Sequence, residues 1–203
     1  DQSSSRGLGD VYKRQKKDTS SLKFSDSRVF PSLVIATFLG ISNACIVLTS
    51  SLFVNDVILE NKDNLYFFVS LGFAIVALSG LLTQLLLVDR YTFNPKILVI
   101  TGITLMAGVF YLLSNTSEIV WFYLLLMIYG FGGGLARPGN VSILSLSVNK
   151  DEQGAASGLM GTVFPLGHLI TPFSIMPLYM MDPSFPYLLI CLLYTSPSPR
   201  DED

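Results

Sequence analysis

Two side chains inside the long apolar runs of this chain are basic, Arg137 and His168, and no Asp or Glu stands in those runs. A lone imidazole in a helix either carries a proton or forms hydrogen bonds within the bundle, and the second use is the commoner one. No cluster of metal ligands, nucleotide-binding glycine loop or nucleophile beside a base occurs in the sequence. The sequence therefore predicts no catalytic residue, no metal site and no cofactor.

Uncharged polar side chains also stand near the middle of the apolar runs. They are Ser42, Asn43, Ser79, Gln84, Tyr129 and Thr171. Polar groups at such positions either line a cavity or pair with one another across helices. The sequence leaves both interpretations open.

The string YGFGGGLARPGN, residues 129–140, places Gly130 and Gly134 at the spacing of a GxxxG motif. This spacing predicts a helix face that a neighbouring helix approaches closely. Arg137 follows and is interpreted either as a charge that snorkels to the interface or as a latch paired with an acid of a neighbouring loop. Pro138 predicts a kink.

A second glycine-rich string contains Gly154, Gly158, Gly161 and Gly167 interleaved with Pro165, Pro172 and Pro177. This composition predicts a closely packed, bent helix of the kind that flexes between two states, although packing alone also tolerates it.

The composition excludes several classes of protein. Of 203 residues, 50% are hydrophobic and 14% are charged, and the mean hydropathy is +0.53. A soluble enzyme is disfavoured by these values. The net charge of −2 provides no basic surface for nucleic acid.

Apolar runs define the architecture that must position these side chains. They cover residues 30–54, 65–88, 97–113, 119–148 and 155–181, and a shorter run begins at 185 and is cut after 190. Each full run is near or above the length of about 20 residues that spans a bilayer as a helix, and none alternates with a period of two. The predicted fold class is an all-α polytopic membrane protein with five full spans and a truncated sixth.

Basic residues predict the orientation. Outside the two ends of the chain, every Lys and Arg except Lys62 falls at loops or helix ends on one side, which the positive-inside rule places in the cytoplasm. Residues 16–29 are then a cytoplasmic segment, interpreted as a linker between two membrane halves or as a basic flank.

The two ends differ from the rest of the chain. Residues 5–15 and 191–201 can be written as one DNA string read on opposite strands, and that string resembles a transposase adapter used in sequencing libraries. We therefore expect residues 1–15 and 191–203 to be adapter-derived. Cys45 is then the only native cysteine, so no native intramolecular disulfide is expected.

The glycine strings resemble the tenth and eleventh helices of the major facilitator superfamily, in particular its drug:proton antiporters. The resemblance is carried by GFGGGLARPGN, by the turn KDEQGAASG and by GLMGTVFPLGHLITP, although Thr171 stands where the family has glycine before Pro172. The loop VDRYTFNPK resembles a degenerate copy of the family's cytoplasmic loop motif. The resemblance implies the C-terminal six-helix half of the fold, with residues 30–190 as helices seven to eleven and the start of twelve.

The same resemblance implies roles for particular residues. Substrate-cavity candidates are Ser42, Asn43 and Tyr129, and half-to-half contact candidates are Gln84 and His168. Cytoplasmic latch candidates are Asp89, Arg90, Lys96 and Arg137. Helix-packing candidates are Gly130, Gly134, Gly154, Gly158 and Pro172.

The implied protein is a secondary transporter in a cell membrane, expected to be a bacterial plasma membrane. Its expected partners are a small amphipathic solute, the lipid bilayer and a missing N-terminal half. The sequence alone also allows a small structural or accessory membrane protein without transport activity. A membrane-embedded enzyme is disfavoured because no acid, metal-ligand pair or paired nucleophile lies at membrane depth.

Overall fold

The computed structural model describes residues 22–58, 64–88, 90 and 93–195, and all regular elements within these ranges are helices. The six long helices run in the order α1 Phe30–Phe53, α2 Leu65–Thr83, α3 Pro95–Leu113, α4 Ile119–Ser147, α5 Gln153–Met181 and α6 Phe185–Thr195. Helix α1 continues as a π-helical turn over Val54–Ile58, and α2 continues likewise over Gln84–Val88. The all-α fold class is confirmed.

Five helices are long and apolar enough to cross a membrane, namely α1 to α5 with their short extensions. Their bounds follow the apolar runs because the runs end where polar loops begin. Pro95 opens α3, and the Asn94 side chain before it accepts a hydrogen bond of 3.0 Å from the Lys96 backbone N–H. Helix α4 continues through Pro138, and α5 continues through its three prolines.

The largest packing surfaces join α3 to α4, α1 to α5 and α2 to α4. Small residues form these contacts, as expected where lipid removes the hydrophobic drive between helices. A Cβ added to Gly167 of α5 would lie 2.6 Å from the Ile41 nitrogen and 2.7 Å from the Thr37 carbonyl oxygen of α1. Backbone atoms of α1 and α5 therefore touch through a position that admits only glycine.

Aromatic rings fill the centre of the bundle and connect four helices. Phe53 of α1 meets the Tyr187 ring of α6 edge to face at 5.2 Å, and Phe110 of α3 meets Tyr129 of α4 in the same manner at 5.8 Å. Such pairs add to the free energy gained by burial alone. These contacts fix α4 at the centre of the fold.

Helices α2 and α5 are much less covered than their neighbours. Only 6% of the most apolar stretch of α2 and 22% of that of α5 are buried, against 56% for α1 and α4. Exposed apolar side chains on α5 include Leu169 and Phe173.

Helix α6 extends to Thr195, beyond the predicted end of the last span at residue 190. Residues 191–195 lie in the segment expected to be adapter-derived, yet they continue the helix, and the Tyr194 hydroxyl donates to the Phe38 carbonyl of α1 at 3.4 Å. An apolar sequence such as CLLYT extends a helix whatever its origin, so its adapter origin stays a prediction.

Candidate transport site

Two polar pairs cross the middle of the bundle from adjacent positions on α1. The Ser42 hydroxyl lies 3.1 Å from the Tyr129 hydroxyl of α4, and Asn43 Oδ1 lies 3.2 Å from His168 Nε2 of α5. Because Ser42 and Asn43 are consecutive, they point to different neighbours. The structure thus joins residues that the resemblance had divided between a cavity and a half-to-half contact.

Burial separates these residues further. Ser42 is fully buried and Tyr129 is 1% exposed. Ser42 was expected to line a cavity, and its hydroxyl lies against that of Tyr129. A buried hydroxyl needs a partner, and each of these two supplies one to the other. Asn43 and His168 are partly exposed.

His168 has two neighbouring oxygens. Its Nδ1 lies 3.3 Å from the Phe164 carbonyl oxygen, while its Nε2 faces Asn43 Oδ1. A neutral imidazole has one N–H and donates to only one of these acceptors. Both bonds form when the ring is protonated or when Asn43 presents its amide nitrogen instead. The hydrogen bond between α1 and α5 therefore depends on the tautomer of His168 and on the orientation of the Asn43 amide.

A cavity of about 260 Å³ lies between α2 and α4. Gln84, Arg137 and Tyr129 contribute its polar side chains, and Gly133 leaves room beside them. Gln84 was expected at the half-to-half contact, and it is exposed at the end of α2. This cavity brings Gln84, Tyr129 and Arg137 together.

Arg137 is exposed, and its guanidinium carbon lies 5.4 Å from the centre of the Phe164 ring on α5. Among the described residues it forms no ion pair, since both ion pairs found there involve Arg28. Asp89 and other loop residues lie outside the described ranges, so the interpretation of Arg137 as a latch paired with a loop acid stays a prediction.

A larger cavity, about 590 Å³, lies on another side of α2 and is lined almost entirely by apolar side chains. Its two hydroxyls are already bonded within α2, Ser79 to the Val76 carbonyl and Thr83 to the Ser79 carbonyl. No free polar group remains to select a solute, so the smaller polar cavity is the better candidate site.

An ion cluster joins the segment before α1 to the turn before α5. Arg28 donates to Asp26 at 2.8 Å and to Glu152 at 2.9 Å, and Glu152 also accepts from the Asn149 backbone N–H at 3.0 Å. These bonds with Arg28 hold the pKa of both carboxyl groups below their ordinary values, and they raise the pKa of Arg28. The sequence reading missed this cluster, although the N-x-x-E spacing of Asn149 and Glu152 is the signal of a helix start.

The remaining latch candidates form no ion pair in the part of the chain that the structure describes. Arg90 and Lys96 are exposed, and Asp89 lies outside the described residues. Among the described residues, the ion pair that joins distant segments is that of Arg28 with Glu152.

The packing candidates divide into two groups. A Cβ added to Gly134 would lie 2.7 Å from the Gly80 carbonyl oxygen of α2, and one added to Gly130 would meet Val76 and Ser79 of the same helix. Around Gly154 and Gly158 an added Cβ would meet no described atom within 4 Å, so these two do not mediate packing within the described bundle. Both glycines are exposed on α5, whereas Pro172, the remaining packing candidate, is partly buried.

No group of three metal-ligating side chains occurs among the described residues. The family model described as Major Facilitator Superfamily matches residues 5–172. The chain belongs to the major facilitator superfamily. Members of this superfamily are multi-pass membrane transporters, which agrees with the five membrane-length helices. No curated protein and no solved structure matches the chain.

The match begins inside the segment expected to be adapter-derived and ends within α5. It covers most of the spans on which the resemblance was based, so the superfamily assignment is confirmed. The assignment to the drug:proton antiporters is a finer statement that the family match does not address.

Proposed function

We propose that the chain is the C-terminal half of a secondary active transporter that exports an amphipathic organic solute by proton antiport. The two halves would rock about a central site and expose it to each side of the membrane in turn. The linker before α1 and the ion cluster of Arg28 would lie on the cytoplasmic side, because basic residues collect there.

The observation that carries this proposal is the open face formed by α2 and α5. These two membrane-length helices are mostly uncovered, and the polar cavity with Gln84 and Arg137 opens between α2 and α4. A second six-helix half placed against α2 and α5 would cover both helices and enclose the cavity. Bare glycines at Gly154 and Gly158 would allow that half to approach closely.

The chemistry of the site supports an amphipathic solute. Its polar groups are few and stand beside apolar side chains, whereas a sugar would require more hydrogen-bonding partners. The proton would pass through a carboxylate of the other half, since the predicted apolar runs of this chain hold no Asp or Glu. On this side, the hydrogen bond between His168 and Asn43 would join α1 to α5 during transport.

The test begins with the complete reading frame, recovered by amplifying outward from the codons for Lys16 and Ile190. The encoded protein is then reconstituted into vesicles with an imposed proton gradient, and candidate amphipathic solutes are added while a pH-sensitive dye reports proton flux. We expect solute-dependent proton movement, which Asn43→Ala reduces and Asn115→Ala does not, because Asn115 bonds only within the exposed turn after α3. A frame without a second six-helix half and without solute-driven flux would instead support an accessory membrane protein.

A further inference from the structure

We infer that Arg137 and the adjoining cavity bind the carboxylate of an amphipathic organic anion, which specifies the substrate class. This inference rests on the proposed transport function. It begins from the position of Arg137 along α4. Ser147 ends the helix ten residues later, which at about 1.5 Å per residue places Arg137 about 15 Å from that end. The 29 residues of α4 make it about 43 Å long, so a centred helix extends about 7 Å beyond each side of a hydrocarbon core about 30 Å thick. The Arg137 backbone then lies about 8 Å inside the core.

A charge on a side chain that begins at this depth requires compensation, and the described helices provide no acidic side chain for it. No Asp or Glu occurs within the predicted apolar runs. Arg137 makes no hydrogen bond or ion pair with any described residue, and its side chain is exposed beside the cavity. Intramembrane charges that lack a structural partner mark pathways for substrates and ions.

The surroundings of the guanidinium suit a carboxylate attached to an apolar body. The Phe164 ring holds the guanidinium at 5.4 Å through its π face, which leaves the N–H groups free to donate in the plane of the guanidinium. Two parallel N–H groups match a carboxylate bidentately. Gln84 supplies a further amide donor across the cavity, and Val76 and Leu81 supply apolar wall.

The room beside Arg137 favours a solute over a fixed acid of another helix. The cavity of about 260 Å³ adjoins the guanidinium, and a Cβ added to Gly133 on its wall would meet no described atom within 4 Å. This volume accommodates a small organic anion, and its mixed walls select one with an apolar end over a bare inorganic ion.

The test uses the full-length transporter in nanodiscs and measures how fast phenylglyoxal modifies individual arginines, followed by peptide mass spectrometry. The probe is 4-phenylbutyrate, compared with the neutral 4-phenylbutanamide and with inorganic phosphate. We expect 4-phenylbutyrate to slow modification of Arg137 about tenfold, as a bidentate charged contact would. The amide and phosphate should have little effect, and Arg90, which is exposed, serves as the internal control.

Variants measured with radiolabelled 4-phenylbutyrate provide the second readout. Arg137→Gln should weaken binding about tenfold, and Arg137→Lys should weaken it less, because Lys keeps the positive charge but not the two parallel N–H donors of the guanidinium. Lys150→Gln, an exposed cation away from the cavity, should bind as the parent protein does. Monodisperse elution of each variant shows that it has folded.

Three results would overturn the inference. Equal modification of Arg137 with and without 4-phenylbutyrate would mean that no carboxylate binds there, and equal protection by phosphate would mean a general anion site. Arg137 that resists modification until an acid of the other half is replaced would mean a fixed ion pair. Binding does not require transport, so carboxylate binding without solute flux would contradict only the proposed function. Solute flux without a preference for carboxylates would contradict only this inference.

Discussion

Helices α4 and α5 carry similar glycine strings but place them against different surroundings. In α4, Gly130 and Gly134 are covered by α2. In α5, Gly167 touches the backbone of α1, whereas Gly154 and Gly158 face open space within the described structure. The same residue type therefore closes one seam of the bundle and leaves another face bare.

This difference has a functional consequence. The closed seams join α2 to α4 and α1 to α5, and Ser42 pairs with Tyr129 in the interior. Gln84 and Arg137 line the polar cavity, and neither forms an ion pair with a described residue. We expect replacements in the closed interior to change the free energy of unfolding, and under the proposed function we expect replacements at the cavity to change solute binding.

Replacing glycine by alanine on the two sides of α5 gives the largest expected contrast. In Gly167→Ala the new methyl group would lie within 2.8 Å of three backbone atoms of α1, which cannot rotate away. We expect the free energy of unfolding to fall by about 1–3 kcal/mol, as for overpacked cores. Gly158→Ala meets no described atom and should be neutral or gain up to about 1 kcal/mol from helix propensity.

Unfolding of both variants in mixed detergent micelles measures this contrast. The matched substitution controls for the intrinsic preference of alanine, since both sites lie within the same helix. Equal losses at the two positions would show that the exposed side of α5 is packed in the isolated chain, contrary to the comparison above.

The buried pair of Ser42 and Tyr129 gives a smaller effect. Tyr129→Phe removes the hydroxyl that lies 3.1 Å from Ser42, and Ser42→Ala removes its partner. A double-mutant cycle should give a coupling of about 0.6 kcal/mol and at most about 1.7 kcal/mol, the range for hydrogen bonds between membrane helices. Gln84→Ala on the open face should leave the free energy of unfolding unchanged, and a coupling of zero for the buried pair would contradict its assignment to the closed interior.

The sequence predicted the helices well because span length and apolar composition are local properties. The sequence also indicated that a neighbouring helix approaches Gly130 and Gly134, because the GxxxG spacing removes side chains from one face of a helix. At Gly154 and Gly158 no described atom lies within 4 Å of an added Cβ, so helix packing at these two positions stays a prediction. Spacing identifies a bare helix face, but the tertiary arrangement determines whether anything lies against it.

Partners distant in sequence could not be read from the pattern. His168 and Asn43 are separated by 125 positions, and Arg28 and Glu152 by 124. Each side chain by itself allowed several roles, and only the packing of α1 against α5 brings these pairs together. For Arg137 the sequence left open a snorkelling charge or a latch, and the structure places the side chain beside a cavity.

The ion cluster of Arg28 gives the smallest expected effect, since it is an exposed contact that ties α1 to the start of α5. Arg28 holds the pKa of Glu152 below 4.5 and that of Asp26 below 3.8. Because these carboxyl pKa values are lowered, the contact is fully present at pH values above the ordinary carboxyl pKa. It is lost as the pH falls through the lowered pKa. The cluster should therefore persist at neutral pH and open progressively below a pH of about 4.5.

Spin labels at positions 27 and 150, with Cys191 replaced by Ser, report this opening as a broadened distance distribution. We expect a narrow distribution at pH about 7 and one that broadens as the pH falls through the lowered pKa values of Glu152 and Asp26, because the protonated carboxyls no longer attract the guanidinium. Arg28→Gln should give the broad distribution throughout the titration. A distribution that stays narrow at low pH would show that packing of α1 against α5 through Gly40 and Gly167 holds these ends together by itself, so that the closed seam and not the ion cluster sets their separation.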